Sequence, residues 1–197
     1  SSRPRAMSNP TAIQAFHNVG RLSATAEGQT YSFSTAYPHG GTAIGLVRDV
    51  QMRRTEGRQT IVAEEFGVEV IDEVYAGEAW LMSFALRGWD SDAILALFPN
   101  TTLASTSKFR GVDYPGTTTK AGTTKAAGAV KVLFTPDDDK NHPAVYLPNA
   151  IPEIAEDLTI ALGRIDEVLI VCGFRALRDG ATAGRAVQIR LLEDLSA

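Results

Sequence analysis

Between Gly41 and Pro99 the chain reads GTAIGLVRDVQMRRTEGRQTIVAEEFGVEVIDEVYAGEAWLMSFALRGWDSDAILALFP, three strand-like runs closed by one short helix signal. In much of it the side chains alternate with the period of two that sends them to opposite faces of a strand. Ala79 to Arg87 is the most apolar run and places Trp80, Met82, Phe84 and Leu86 on one face. From Ile44 to Arg54, Leu46, Arg48 and Val50 share one face and Val47, Asp49 and Gln51 the other. Neither face is cleanly apolar, the pattern of a strand sandwiched between subunits rather than half solvated. Thr55-Glu56-Gly57-Arg58 reads as a hairpin turn, Gln59 to Ala63 as the returning strand, Phe66 to Val74 as its continuation and Ala76-Gly77-Glu78 as a second turn. Asp90 or Ser91 can cap a helix with Ala93, Ile94, Leu95, Leu97 and Phe98 on its apolar side. That helix is too short to stand alone and must pack on the sheet.

The flanking segments extend the same theme. Ser1 to about Ala15 is polar and interrupted by Pro4 and Pro10, so residues 1–17 read as a flexible arm with no apolar run of the secretory-signal kind. Residues 18–197 form one domain. Gly20–Thr25 and Gln29–Ser34 alternate as short strands, and Pro38-His39-Gly40-Gly41 is a turn. Asn100 to Ala127 is rich in Thr, Ser, Lys and Gly and reads as a long loop. Val130–Phe134 is a strand, Asp137–Asn141 a turn, and Ala144–Leu147 a short strand bounded by prolines. Leu158–Leu162, Glu167–Arg175 and Ala186–Leu192 complete the strands. Eight or more strands with one helix indicate a mainly β fold, a β-sandwich or barrel with one flanking α-helix.

Length and composition bound what such a fold can do. A chain of 197 residues, 44% hydrophobic and 21% charged, is an ordinary globular composition. A net charge of −4 argues against coating nucleic acid, which needs a surplus of cations facing phosphate. No run reaches the ~20 apolar residues of a membrane-spanning helix. The single cysteine, Cys172, lies in VLIVCGF and reads as a small buried hydrophobe.

Catalytic and metal-binding patterns are missing. HGGTAIG lacks the lysine and hydroxyl of a phosphate-binding loop. His17, His39 and His142 have no ligand spacing, and Asp137, Asp138 and Asp139 read as a solvated turn. Glu64-Glu65 and Asp72-Glu73 are adjacent, so in a strand their carboxylates point apart. The expectation is a framework protein, not an enzyme, with no cofactor and no metal.

One charge pattern is not random. Arg48, Arg53, Arg54 and Arg58 cluster around the first expected turn. Glu64, Glu65, Glu69, Asp72, Glu73 and Glu78 follow, with no Lys or Arg before Arg87. Either these are two solvated faces of opposite sign, or a basic hairpin tip on one copy meets an acidic face on the next. A heterologous contact of that second kind generates rings or stacks.

The order of these signals resembles the bacteriophage tail tube protein family, the major tail proteins, which are related to the tube proteins of type VI secretion. The residues carrying the resemblance are Gly41, Gly45, Val47, Val50, Glu64 or Glu65, Gly67, Asp72, Val74, Gly77, Glu78, the AWLMSFALR strand, Asp92 and Leu97-Phe98-Pro99, then HPAVYLPNA and VLIVCGFRALRD in the second half. The resemblance covers about residues 18–195; the arm and the Thr/Lys loop fall outside it. It implies a virion structural protein whose copies form hexameric rings, each lined by a continuous β-barrel. The rings stack into a tube for DNA ejection, and a long hairpin, about Val47–Ala63, reaches the adjacent ring. Its partners are then copies of itself, other tail or neck proteins, and DNA that passes without specific binding. The location is the phage tail, assembled in the host cytoplasm. A mildly acidic wall repels phosphate, and the stretch Glu64–Glu78 is the candidate for part of that lining or for the ring interface. A tail terminator, a neck protein or a capsid-decorating or adsorption module is the alternative.

Overall fold

A computed structural model of the chain describes residues 20–26, 29–34, 38–63, 69–87, 97, 102–103, 112–113, 129–154, 170–178 and 185–195. The described strands are β1 (Gly20–Ala26), β2 (Thr42–Ala43), β3 (Val47–Ala63), β4 (Glu69–Leu86), β5 (Thr102–Leu103), β6 (Val112–Asp113), β7 (Val130–Pro136), β8 (Ala144–Ile154), β9 (Ile170–Ala176) and β10 (Gln188–Arg190). A 3-10 turn follows at Leu192–Asp194. The fold is mainly β, built on one antiparallel sheet of eight strands.

The sheet runs β2-β1-β7-β8-β9-β4-β3, with β10 also paired to β8. Its first and last strands are consecutive in the chain, three residues apart, so their near ends lie within about 14 Å of each other. The connecting residues are bonded to both sides. The Ile44 N–H donates to the Leu22 carbonyl at 3.0 Å, and the Leu46 carbonyl accepts the Arg87 N–H at 2.8 Å. The sheet therefore curls into a barrel-like closure. Its interior holds Leu22, Ile44, Met82, Phe84, Leu86, Val132, Phe134, Leu147, Ile170, Cys172 and Phe174, residues from opposite ends of the strand order in one apolar cluster. A second cluster covers the other face of β7 and β8: Leu133 and Tyr146 pack against Tyr31, Phe33, Leu192 and Leu195. With both faces covered, β7 is buried without interruption from Val132 to Pro136.

The alternation of Ala79–Arg87 is realised as expected: Met82, Phe84 and Leu86 are buried and Trp80 packs at the edge of the same cluster. Pro38–Gly41 is a turn. Its Gly41 N–H donates to the Pro38 carbonyl at 3.1 Å, and His39 and Gly40 both take positive φ, the type I′ geometry. The Asp137–Asn141 turn also holds, with Asp138 accepting from the Asn141 side chain and backbone.

Several expected elements differ. Thr55-Glu56-Gly57-Arg58 and Ala76-Gly77-Glu78 are not turns. They lie inside β3 and β4, which pair along their length, and Gly57 stands directly opposite Gly77. The register slips there by one residue, leaving Ala76 extra in β4, and Gly77 takes φ +113°. The glycines provide a β-bulge, which uses the same positive-φ freedom as a turn. Gln29–Ser34 alternates in burial but forms no ladder; Tyr31 instead donates its hydroxyl to the carbonyls of Ser23 and Lys131 at 2.8 and 3.2 Å. The strand from Ala144 does not stop at Leu147. It continues through Pro148 and Pro152 to Ile154. Pro148 falls where β8 carries one residue more than β7, and past Ala150 the described pairing of β8 is to β9 alone, both places where a strand tolerates a proline. The last strand shortens to Gln188–Arg190 before the 3-10 turn.

Of the expected flanking helix, Leu97 alone is described; it is helical and fully buried. Among the described residues of the 100–127 segment, β5 pairs with β6. The arm at 1–17 and the strand at Leu158–Leu162 lie outside the described residues.

Candidate assembly surface

β4 has two neighbours only from Trp80 to Leu86, where β9 runs along one edge and β3 along the other. From Glu69 to Ala79 its described partner is β3 alone. The two strands therefore leave the barrel as a two-stranded ribbon. β3 rises 17 residues, roughly 56 Å, of which about half lies beyond the core.

The change from barrel to ribbon is written on one face in three successive cross-strand pairs. Met52 faces Met82 in the core, Arg54 faces Trp80 at its edge, and Glu56 faces Glu78 beyond it. Two carboxylates directly opposite each other repel. Arg54 relieves this by bonding both, Nε to Glu78 at 2.7 Å and Nη1 to Glu56 at 3.0 Å, while its guanidinium lies 6.0 Å over the Trp80 ring. Arg58 continues the series to Glu56 at 3.2 Å and Glu73 at 3.3 Å. The result is an alternating chain, Glu78–Arg54–Glu56–Arg58–Glu73. The hydrogen bond from Arg54 holds the Glu78 carboxyl below its ordinary range, helped by the Trp80 indole, and Glu78 in turn raises Arg54. Each pair is exposed, so its value is rigidity of the ribbon more than stability.

The four arginines thus do not crown a hairpin tip. Arg48 lies at the barrel end, bonded to Asp49 at 2.8 Å, beside a bulge in which Asp49 takes φ +55°. Arg53 stands opposite Leu81 on the side facing away from the core and makes no ion pair among the described residues. Arg54 and Arg58 are mid-ribbon. Of the acidic set, Glu78 and Glu73 belong to the network, and Asp72, opposite Ile61, accepts the Glu73 N–H at 2.8 Å. Glu69 opens β4 opposite Ala63, and Glu64 and Glu65 lie outside the described residues.

The ribbon also carries exposed apolar side chains. Ile61, Val62, Val70, Ile71, Val74 and Tyr75 are all exposed, Val70 to 59% and Ile71 to 62%. They occupy both faces: Tyr75 pairs with Arg58 on one, Val74 with Gln59 on the other. A sequence signal existed, because Val70 and Ile71 are adjacent and apolar on both parities with no helix pattern to absorb them.

At the ribbon's root an open groove of about 390 Å³ is lined by Glu78, Trp80, Arg185, Ala186, Val187 and Ile189. Among the described residues no group of three or more His, Cys, Asp or Glu could hold a metal ion. Cys172 is buried, and burial pushes its thiol up to about 12. No helix among the described residues is long and apolar enough to cross a membrane. No protein-family model matches the chain, and no curated protein matches it either.

Proposed function

We propose that this chain is a structural subunit whose copies assemble into stacked, hexameric rings, a virion tail tube through which DNA passes without specific binding. One observation carries the reading: the β3–β4 ribbon, which leaves the barrel with apolar side chains on both faces and, among the described residues, no strand pairing along its outer edges. A two-stranded ribbon is marginal by itself in water, and large exposed apolar patches mark interaction surfaces. Neighbouring copies supply the missing cover. The order of sequence signals shared with tail tube proteins adds the tube. On this reading the partners are further copies, other tail or neck proteins and the passing genome, and the protein acts in the phage tail after assembly in the host cytoplasm.

Negative-stain microscopy of the purified protein at high concentration, over a range of salt, tests the proposal. Rings or tubes are expected. Monomers under every condition, together with particles in which the protein is not in the tail, would overturn it.

A further inference from the structure

The strand order leaves a notch in the sheet beside the ribbon's root. Tyr146 of β8 pairs with Leu133 of β7 on one edge and with Gln188 of β10 on the other. Farther along that second edge Ala150 pairs with Ala176, the last residue of β9, and Ala176 pairs in turn with Trp80 of β4. β10 therefore continues the line of β9 along β8. β4 does not follow it, because beyond Trp80 it leaves with β3. Among the described residues, neither β10 nor this part of β4 has a strand partner on the side facing the other. The groove of about 390 Å³ lies between these two open edges.

Its floor is core left uncovered. Trp80, Ala186 and Val187 are partly buried against the main apolar cluster. Ile189, opposite Val145 on the same face, is 50% exposed. The two banks differ in charge. On the ribbon bank Glu78 already accepts from Arg54 and from the Trp80 indole, within a series of three carboxylates and two arginines. On the β10 bank Arg185 is exposed and makes no ion pair among the described residues.

We propose that the groove takes an extended segment of another protein, which adds a strand to the open edge of β10, lays alternate apolar side chains against Trp80, Val187 and Ile189, and sets a carboxylate beside Arg185. A strand meets both needs of the site. Its backbone pairs the edge N–H and C=O groups, and its side chains, two residues apart on one face, cover the apolar floor. The surplus of carboxylates on the ribbon bank keeps the acidic residue on the β10 side. This contact goes beyond the tube reading and stands without it.

Peptide selection tests the site. A random library of short unconstrained peptides is selected on the full chain, and the best binders are synthesised and titrated with residue-resolved NMR. The selected sequences are expected to alternate apolar residues and to carry an Asp or Glu. Their binding should slow hydrogen exchange within Val187–Arg190. Arg185→Glu removes no ion pair within the described fold, so it should leave the fold intact and weaken these peptides about tenfold. Lys in place of the peptide's acid should restore the loss. Methylating one alternate set of a peptide's backbone nitrogens should abolish binding. A library yielding no peptide that prefers the native chain to Ile189→Asp overturns the proposal. So does an affinity indifferent to Arg185→Glu, or one indifferent to methylation at either set of nitrogens, which means a pocket for side chains alone. If Ile189→Asp abolishes self-association and no peptide competes with it, the occupant is a second copy and the proposal falls.

Discussion

The two halves of β4 face opposite conditions. From Trp80 to Leu86 the strand is flanked on both edges and its inward residues Met82, Phe84 and Leu86 are almost fully buried. From Val70 to Ala79 it has one described partner, and the side chains of both parities reach solvent. One covalent strand thus serves as barrel wall and as projecting ribbon. Stability belongs to the first half, because apolar burial is the main favourable term in folding. The second half is held to the first by backbone ladder bonds and a surface charge series, so its apolar residues are available to a partner at little cost to the monomer.

The largest test of that division is a pair of aromatic truncations. Phe174 is fully buried and stacks with Phe84 at 5.8 Å between ring centroids. Phe174→Ala is expected to destabilise the monomer by about 3–5 kcal/mol. Tyr75→Ala, on the ribbon, should stay within about 0.5 kcal/mol while weakening self-association. Denaturant unfolding at low concentration measures the first effect and sedimentation at high concentration the second. A large loss of monomer stability from Tyr75→Ala would erase the distinction.

Gly173→Ala probes the same wall by overpacking. A Cβ there would meet the Met82 carbonyl oxygen at 2.5 Å, and a backbone oxygen cannot move aside without parting β9 from β4. A loss of about 1–3 kcal/mol is expected, comparable to inserting a methylene into a packed core. An unchanged unfolding midpoint would mean that the β4–β9 seam is looser than its register implies.

Legibility in the sequence divides along the same line. The barrel half announces itself, because burial imposes alternation on Trp80–Leu86 and, where both faces are covered, the apolar run Val132–Phe134 on β7. The ribbon half does not. Gly57 and Gly77 carry the same local signal whether the chain reverses or bulges, and only cross-strand pairing decides between them. Arg54 and Arg58 looked like a basic tip because sequence cannot show that Glu78 and Glu73 lie across the ladder from them. Pro148 reads as a strand end for a similar reason: whether a proline breaks a strand depends on what pairs beside it.

Gly77→Ala tests the bulge. An L side chain at φ +113° is strained whatever the space, and nothing lies within 4 Å to clash with it. The expected penalty of about 1–3 kcal/mol should fall on the ribbon alone. Hydrogen exchange should quicken at Arg58–Ile61 and Asp72–Tyr75 and stay unchanged in β7 and β9. Faster exchange throughout the barrel would show that the ribbon and wall unfold as one unit.

The smallest expected effect comes from acid. Glu78 is held below its ordinary value of 4.5, first by the hydrogen bond from Arg54, so its contribution is present above that pH and is lost as the pH falls through the depressed folded value. The pair is solvent-exposed, so global stability should barely register the change. The Arg54 Nε–H resonance should shift as Glu78 protonates and Arg54 is released, and Glu78→Gln should remove that shift. Asp138 is also held low, by Asn141 in the β7–β8 turn, so a bulk probe would mix the two sites and a residue-resolved one is needed. If the Arg54 resonance is indifferent to pH below 4.5, the alternating charges do not hold the ribbon, and the Gly57–Gly77 bulge with the backbone ladder must set its direction by themselves.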